Sequence, residues 1–142
     1  MDTRVKFVAI AEDDPDDVVL LKDAFEQCGW DVTLEFFANG SSLLSFLYKR
    51  GDYAGTGKLP HMILMDFHLP GTSGLDLISA IKSDPGLKRI PLIVLAGFCQ
   101  DTDVNNCYDL GANTVIGKPS TFDSLLEAVK RICDYWFSVA GS

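Results

Sequence analysis

The residues able to do chemistry fall in three short stretches. Glu12-Asp13-Asp14-Pro15-Asp16-Asp17 packs five carboxylates into six positions. Asp66 stands in Met65-Asp66-Phe67-His68-Leu69-Pro70-Gly71, and Lys118 precedes Pro119. Part of the first stretch has a structural explanation. Asp14 suits a helix N-cap, Pro15 the first helical position, and Asp16 and Asp17 the first turn, where the helix dipole favours negative charge. Glu12 and Asp13 are left over, and acids crowded together repel unless a cation relieves them. An EF-hand loop is excluded, because a loop begun at either residue lacks Gly at its sixth position and Glu at its twelfth. Asp66 lies too far ahead of the next helix, which starts near Gly74, to cap it. Brought together, Glu12, Asp13 and Asp66 make a hard-cation site. Mg²⁺ suits one that leaves water and phosphoryl positions open. Lys118 would then serve as a point charge for an anion, phosphate above all.

Such a site needs elements that carry all three stretches to one place. Val5–Ala11, Val32–Phe37, His61–Met65, Ile90–Ala96 and Thr114–Ile116 are short and largely apolar, as in buried strands. Between and after them run helical patterns. Asp16–Cys28 is stopped by Gly29, and Leu43, Leu44, Phe46 and Leu47 follow the turn residues Asn39-Gly40-Ser41. Leu75–Lys82 is broken by Asp84-Pro85-Gly86, Gln100–Leu110 is stopped by Gly111, and Phe122–Ala140 is the longest. Gly51–Pro60 is a Gly-rich loop. Five strand–helix units predict an α/β fold, a doubly wound five-stranded parallel sheet covered on both faces. Ligands of such sheets sit beyond the carboxyl ends of the strands. Glu12 and Asp13, Asp66, and Lys118 follow the first, third and fifth strands.

The composition sets limits. With 142 residues, 47% of them hydrophobic and 23% charged, the chain fits a single domain over 1–142 that needs neither disulfide nor metal to fold. A net charge of −8 argues against nucleic acid and against an anionic membrane surface. No secretory or spanning segment is visible, and cysteines 28, 99, 107 and 133 form no C-x-x-C, so reduced thiols in a cytoplasmic protein are expected.

These motifs in this order resemble the receiver domain of two-component response regulators, from Val5 to about Phe137. The resemblance rests on Glu12-Asp13, on Met65-Asp66-Phe67-His68-Leu69-Pro70 followed by Gly74, and on Lys118-Pro119. The run Glu12 to Asp17, and Ile81-Lys82-Ser83-Asp84-Pro85 with Leu87-Lys88-Arg89-Ile90-Pro91, are similar to single-domain regulators associated with cyanobacterial phytochromes. The resemblance implies a flavodoxin-like (βα)₅ fold with strand order 2-1-3-4-5. It implies that Asp66 accepts a phosphoryl group from a sensor histidine kinase, phytochrome-like where the narrower likeness holds. Asp13 and Asp66 would bind Mg²⁺ directly, Glu12 through water, and residue His68 by its backbone carbonyl. Lys118 would pair with phosphoryl oxygens. The domain would catalyse its own phosphorylation and slow hydrolysis without being an enzyme for a separate substrate. Nothing follows Ser142, so output is expected to pass through another protein.

Two positions depart from the family pattern. The fourth strand should be followed by Thr or Ser, whose hydroxyl bonds the phosphoryl group, but Ala96 stands there. The fifth strand should carry an aromatic or His three residues before the lysine, but Val115 stands there. A charge-assisted hydrogen bond is worth roughly 1.5–3 kcal/mol, enough to remove most of a two-state bias. The acceptor chemistry is therefore expected intact, with a weak or rerouted switch. The alternative is a pseudo-receiver that serves as a constitutive docking module.

On the last helix, Phe122, Leu125, Leu126, Val129, Ile132, Cys133 and Trp136 form a core stripe. Ala128, Tyr135 and Val139 lie off it and, with Trp136 and Phe137, leave an apolar end. A homodimer through the face of the fourth helix, fifth strand and fifth helix is expected from the family. Other motifs fail. Gly57-Lys58 has no P-loop spacing, and Gly71-Thr72-Ser73-Gly74 is no nucleophile elbow. Asp66-Phe67-His68 lacks the second acid that a haloacid-dehalogenase-like phosphatase needs.

Overall fold

The computed structural model describes residues 5–52 and 58–139. The elements alternate along the chain: β1 Lys6–Ala11, α1 Pro15–Gln27, β2 Val32–Phe37, α2 Gly40–Asp52, β3 Met62–Asp66, α3 Gly74–Lys82, β4 Leu92–Ala96, α4 Asp101–Asp109, β5 Thr114–Gly117 and α5 Phe122–Asp134. The strands form one parallel sheet in the order β2-β1-β3-β4-β5. The part of the expected Gly51–Pro60 loop at residues 53–57 lies outside the described residues, as does Ala140.

Strand alternation divides the core into two layers. Ala9, Ala11, Ile63, Met65, Leu92 and Val94 pack under α2, α3 and α4 with Leu43, Leu47, Leu77 and Cys107. Val8, Ile10, Met62, Leu64, Ile93 and Leu95 pack under α1 and α5 with Leu21, Phe25, Val129 and Ile132. Both faces of β3 and β4 are thus covered, and every residue of the two strands is buried, apolar except for Asp66 at the end of β3.

Local chemistry explains the ends. Asp14 caps α1 by accepting from the Asp16 N–H at 2.9 Å, with Pro15 next. Ser73 caps α3. The third strand starts one residue later than expected and includes Asp66, whose partner in β4 is Leu95. The fourth begins at Leu92, after Pro91, which has no N–H to give the ladder; just before it the carbonyls of Lys88 and Ile90 accept from Lys82 Nζ at 2.9 and 2.8 Å.

The last helix differs from expectation. After Asp134 it widens into a π-helical turn, Tyr135–Val139. The wider turn shifts the register and seats Phe137 in the core, edge-on to Trp30 with ring centres 5.4 Å apart. Trp30 Nε1 donates to Asp134 Oδ1 at 2.8 Å and ties this end to the loop after α1. Phe137 therefore does not belong to the exposed apolar end, whereas Tyr135 does.

Candidate functional site

The strand order reverses between β1 and β3, and Ala11 lies beside Met65 in the ladder. The residues that leave these strands must emerge side by side at the crevice. Glu12, Asp13 and Asp66 each offer a carboxylate oxygen, and these atoms lie within 4.8 Å of one another. Glu12 is 3% exposed and Asp66 6%, the buried charged residues of the described chain, while Asp13 is open to solvent. Lys118 enters from the end of β5, whose last pairing sets Gly117 beside Ala96. The Lys118 N–H donates to the Ala96 carbonyl at 2.9 Å.

Lys118 Nζ donates to Asp66 Oδ2 at 2.7 Å and lies 3.2 Å from Glu12 Oε1. Asp17 Oδ2 lies 2.6 Å from the same ammonium. Burial alone would lower the Lys118 ammonium pKa, but the bonds to Asp17 and Asp66 and the charges of Glu12 and Asp66 overcome it and raise it. The cation is fixed in its charged form. Glu12 is held towards its neutral form. Burial, with help from the Asp66 charge, pushes its carboxyl up to about 7 against the Asp14 amide and Lys118. The Glu12 Oε2 atom accepts from the Asp14 N–H at 3.1 Å, but the buried Oε1 has no hydrogen-bond donor aligned with it.

That donor set fits a small hard cation. Three carboxylates converge, the buried Glu12 Oε1 has the Lys118 ammonium at 3.2 Å but no aligned hydrogen bond, and Asp13 opens the cluster to water. Glu12, Asp13 and Asp66 are the side chains that would hold it.

Asp66 Oδ1 accepts from the His68 N–H at 2.9 Å, which turns the chain sharply after β3. The His68 side chain reaches away from the acids, and its Nε2 stands 2.8 Å from the Phe98 carbonyl oxygen in the loop after β4. Gly74 makes this turn fit. A Cβ there would lie 2.6 Å from the Phe67 carbonyl and 2.9 Å from its ring. Ala96 ends β4 beside the cluster and offers only a methyl group. Val115 is half-buried, and its N–H donates at 3.0 Å to the hydroxyl of Tyr108 from α4.

Three contacts are not foreseen in the sequence. The Asp17–Lys118 pair had only a weak signal, an acid in the first turn of the helix that follows Glu12 and Asp13. The side-chain bonds of His68 and Tyr108 cross between loops and elements, and no spacing announces them.

All four cysteines are free in the structure, with Cys28, Cys107 and Cys133 buried. Among the described residues no helix is long and apolar enough to cross a membrane.

The sequence matches the family model for the response regulator receiver domain over residues 8–130. It is 32% identical over 129 residues to the probable methanogenesis regulatory protein FilR2 of Methanothrix harundinacea, covering 91% of this chain and 82% of that one. It is 30% identical over 131 residues to the response regulator Rcp1 of Synechocystis sp., covering 92% and 88%. The fold superposes on the crystal structure of the phosphorylated cyanobacterial phytochrome response regulator RcpA with a TM-score of 0.86, at 32% identity over 96% of this chain and 97% of that one. For the Mn²⁺-bound form of Rcp1 the TM-score is 0.81, at 29% identity over 94% and 96%.

Proposed function

The chain belongs to the response regulator receiver domain family of two-component signalling, and on that premise we propose that it takes a phosphoryl group onto Asp66 from the phosphohistidine of a sensor histidine kinase. The observation that supports this most directly is the setting of Asp66. It is a nearly buried carboxylate at the end of β3, 2.7 Å from the Lys118 ammonium and grouped with Glu12 and Asp13. An Asp66 oxygen attacks phosphorus and an O–P bond forms. The P–N bond breaks with its electron pair left on the donor imidazole, which leaves neutral with a proton on its other nitrogen. Transfer of this kind needs alignment and neutral surroundings for the charge on the equatorial oxygens. Lys118 supplies one positive charge from within the chain. A magnesium ion held by Glu12, Asp13, Asp66 and the backbone carbonyl of His68 would supply the rest of that neutralisation.

The likeness to RcpA, a cyanobacterial phytochrome response regulator, favours a phytochrome-like kinase as donor, with this chain in the cytoplasm beside it; the Mn²⁺-bound form of Rcp1 favours a divalent cation at the acids, read here as Mg²⁺. The chain acts as a signalling domain and not as an enzyme for a separate substrate. It passes the signal on by protein–protein contact. An open groove of about 570 Å³ between β5 and α5, walled by Ile116, Ala128, Ile132, Tyr135 and Trp136, supports a homodimer through the α4–β5–α5 face.

The methyl group of Ala96 favours a second reading, a docking module with little switching. Intact mass after incubation with Mg²⁺ and acetyl phosphate decides between them. A gain of one phosphoryl group, lost in Asp66→Asn and lost with EDTA, is the expected result. No gain from small donors or sensor kinases in a folded protein overturns the acceptor reading and leaves the docking module.

A further inference from the structure

A receiver without a hydroxyl at 96 needs another connection between its acceptor carboxylate and α4. The structure contains one built from two hydrogen bonds. Asp66 Oδ1 accepts from the His68 N–H at 2.9 Å, and the ring of the same residue meets the Phe98 carbonyl at 2.8 Å. Because the partner is a carbonyl, Nε2 must carry the proton and donate. We propose that the His68 side chain is the positioning residue that carries the state of the Asp66 carboxylate to the β4–α4 loop and into α4. This deepens the acceptor reading above and rests on it.

Three features support the path. The ring is held before any signal arrives, because it stands edge-on to Phe67 with centres 5.1 Å apart. Phe67 in turn is pressed against Gly74. The link ends close to a helix start. Phe98 lies two residues before Gln100, the N-cap of α4, whose N–H donates to Asp103 Oδ2 at 3.1 Å in a capping box. A displacement of the Phe98 carbonyl is thus made two residues from the N-cap to which the first turn of α4 is locked. Finally, the Phe98 side chain is 93% exposed. An aromatic ring left in water beside the site is carried by the segment that moves, so a change at Asp66 becomes a change on the surface.

The chemistry supplies the two states. As a free carboxylate, Asp66 accepts strongly from the His68 N–H. Once one of its oxygens is esterified to phosphorus, the remaining charge is withdrawn to the phosphoryl group and the carboxyl oxygens become poorer acceptors. Residue 68 then loses part of its backbone anchor, and its ring takes the Phe98 carbonyl with it.

The test compares amide spectra of wild type, His68→Leu and His68→Gln, each free and saturated with beryllofluoride and Mg²⁺. Wild type is expected to shift across residues 98–110. Leucine keeps bulk but has no donor and is expected to lose most of that response, while glutamine keeps an N–H donor and retains it. A full response in the leucine variant, or loss in both variants alike, overturns the proposal. A second readout needs no variant. In wild type the His68 Nε2 proton is expected to change its shift and its exchange with water on saturation, and an unmoved proton overturns the proposal as well. Failure of wild type to take up either beryllofluoride or a phosphoryl group is a different result, since it removes the acceptor reading itself.

Discussion

Lys118 lies as close to Asp17 of α1, at 2.6 Å, as to Asp66 of β3, at 2.7 Å. One ammonium is therefore divided between the carboxylate proposed as acceptor and a residue in the first turn of α1, which the proposed chemistry does not use. On the proposed function, an incoming phosphoryl group would compete with Asp17 for the same N–H donors.

Asp17→Asn is expected to speed phosphorylation. The pair is about a quarter exposed on each side, so it is worth at most ~1 kcal/mol, which limits the gain to about fivefold. The initial rate with acetyl phosphate and Mg²⁺, followed by intact mass, should rise at low salt, and the gain should shrink as salt is added. A slower variant would mean that Asp17 holds Lys118 where transfer needs it.

The fold and the acid cluster were legible because they are written in local sequence. Apolar runs followed by helical periods give five strand–helix units, and a parallel sheet sends every strand end to the same edge. Glu12, Asp13, Asp66 and Lys118 meet there for that reason alone. Asp17 was assigned to the helix dipole, which its first-turn position satisfies as well. One residue serves both purposes, and composition does not separate them. The links from His68 to Phe98 and from Tyr108 to Val115 depend on side-chain reach across loops, which periodicity does not encode. The π-helical turn at Tyr135–Val139 was hidden because Trp136 continues the α-helical stripe, while Phe137 gains more by packing on Trp30.

Glu12 gives the free protein a pH dependence of unusual sign. Its carboxyl lies at about 7 in the fold against an ordinary 4.5, raised by burial and by the Asp66 charge, with the Asp14 amide and Lys118 opposing. Between those values the folded chain holds a proton that the unfolded chain releases. The contribution of Glu12 to stability therefore falls as pH rises through that window, by about 3 kcal/mol in all. In EDTA, urea unfolding from pH 4.5 to 7 should show this decline in wild type relative to Glu12→Gln. A Mg²⁺ ion held as proposed by the acid cluster would bind the ionised carboxylate, so its stabilising effect should grow over the same range. Parallel pH profiles for the two proteins in EDTA would refute the assignment.

Tyr108 covers the outer edge of β5 at the position where an aromatic of the strand itself was expected. Its hydroxyl accepts from the Val115 N–H at 3.0 Å, though the residue is 46% exposed. Water can replace a bond this open, so Tyr108→Phe should cost no more than about 1 kcal/mol. The local effect should be plainer. Hydrogen exchange at the Val115 amide should accelerate while amides of β3 keep their protection. Unchanged exchange at Val115 would mean that the hydroxyl does not hold the strand edge.

Gly74 should tolerate nothing larger, for a reason unrelated to backbone freedom. It is the first residue of α3, its conformation is open to any amino acid, and alanine there would improve helix propensity by at most ~1 kcal/mol, the value for a helix interior. Against that gain stands a Cβ placed 2.6 Å from the Phe67 carbonyl oxygen and 2.9 Å from the Phe67 ring. The carbonyl belongs to the chain that turns from Asp66 to His68, so it has little room to retreat without displacing one of them. Overpacking of this kind costs ~1–3 kcal/mol, enough to cancel the propensity gain and leave Gly74→Ala less stable. The displacement should also reach the site, since Phe67 separates the acceptor from His68. Urea unfolding and the rate of phosphoryl gain should both fall in this variant. Gly29→Ala serves as the contrast. Gly29 has a φ of +92° and no atom within 4 Å of where a Cβ would stand, so its cost comes from backbone strain far from Asp66. It should lower stability and leave the phosphorylation rate of the folded protein alone. Equal loss of rate in both variants would show that Gly74 acts through global stability and not through the acceptor turn.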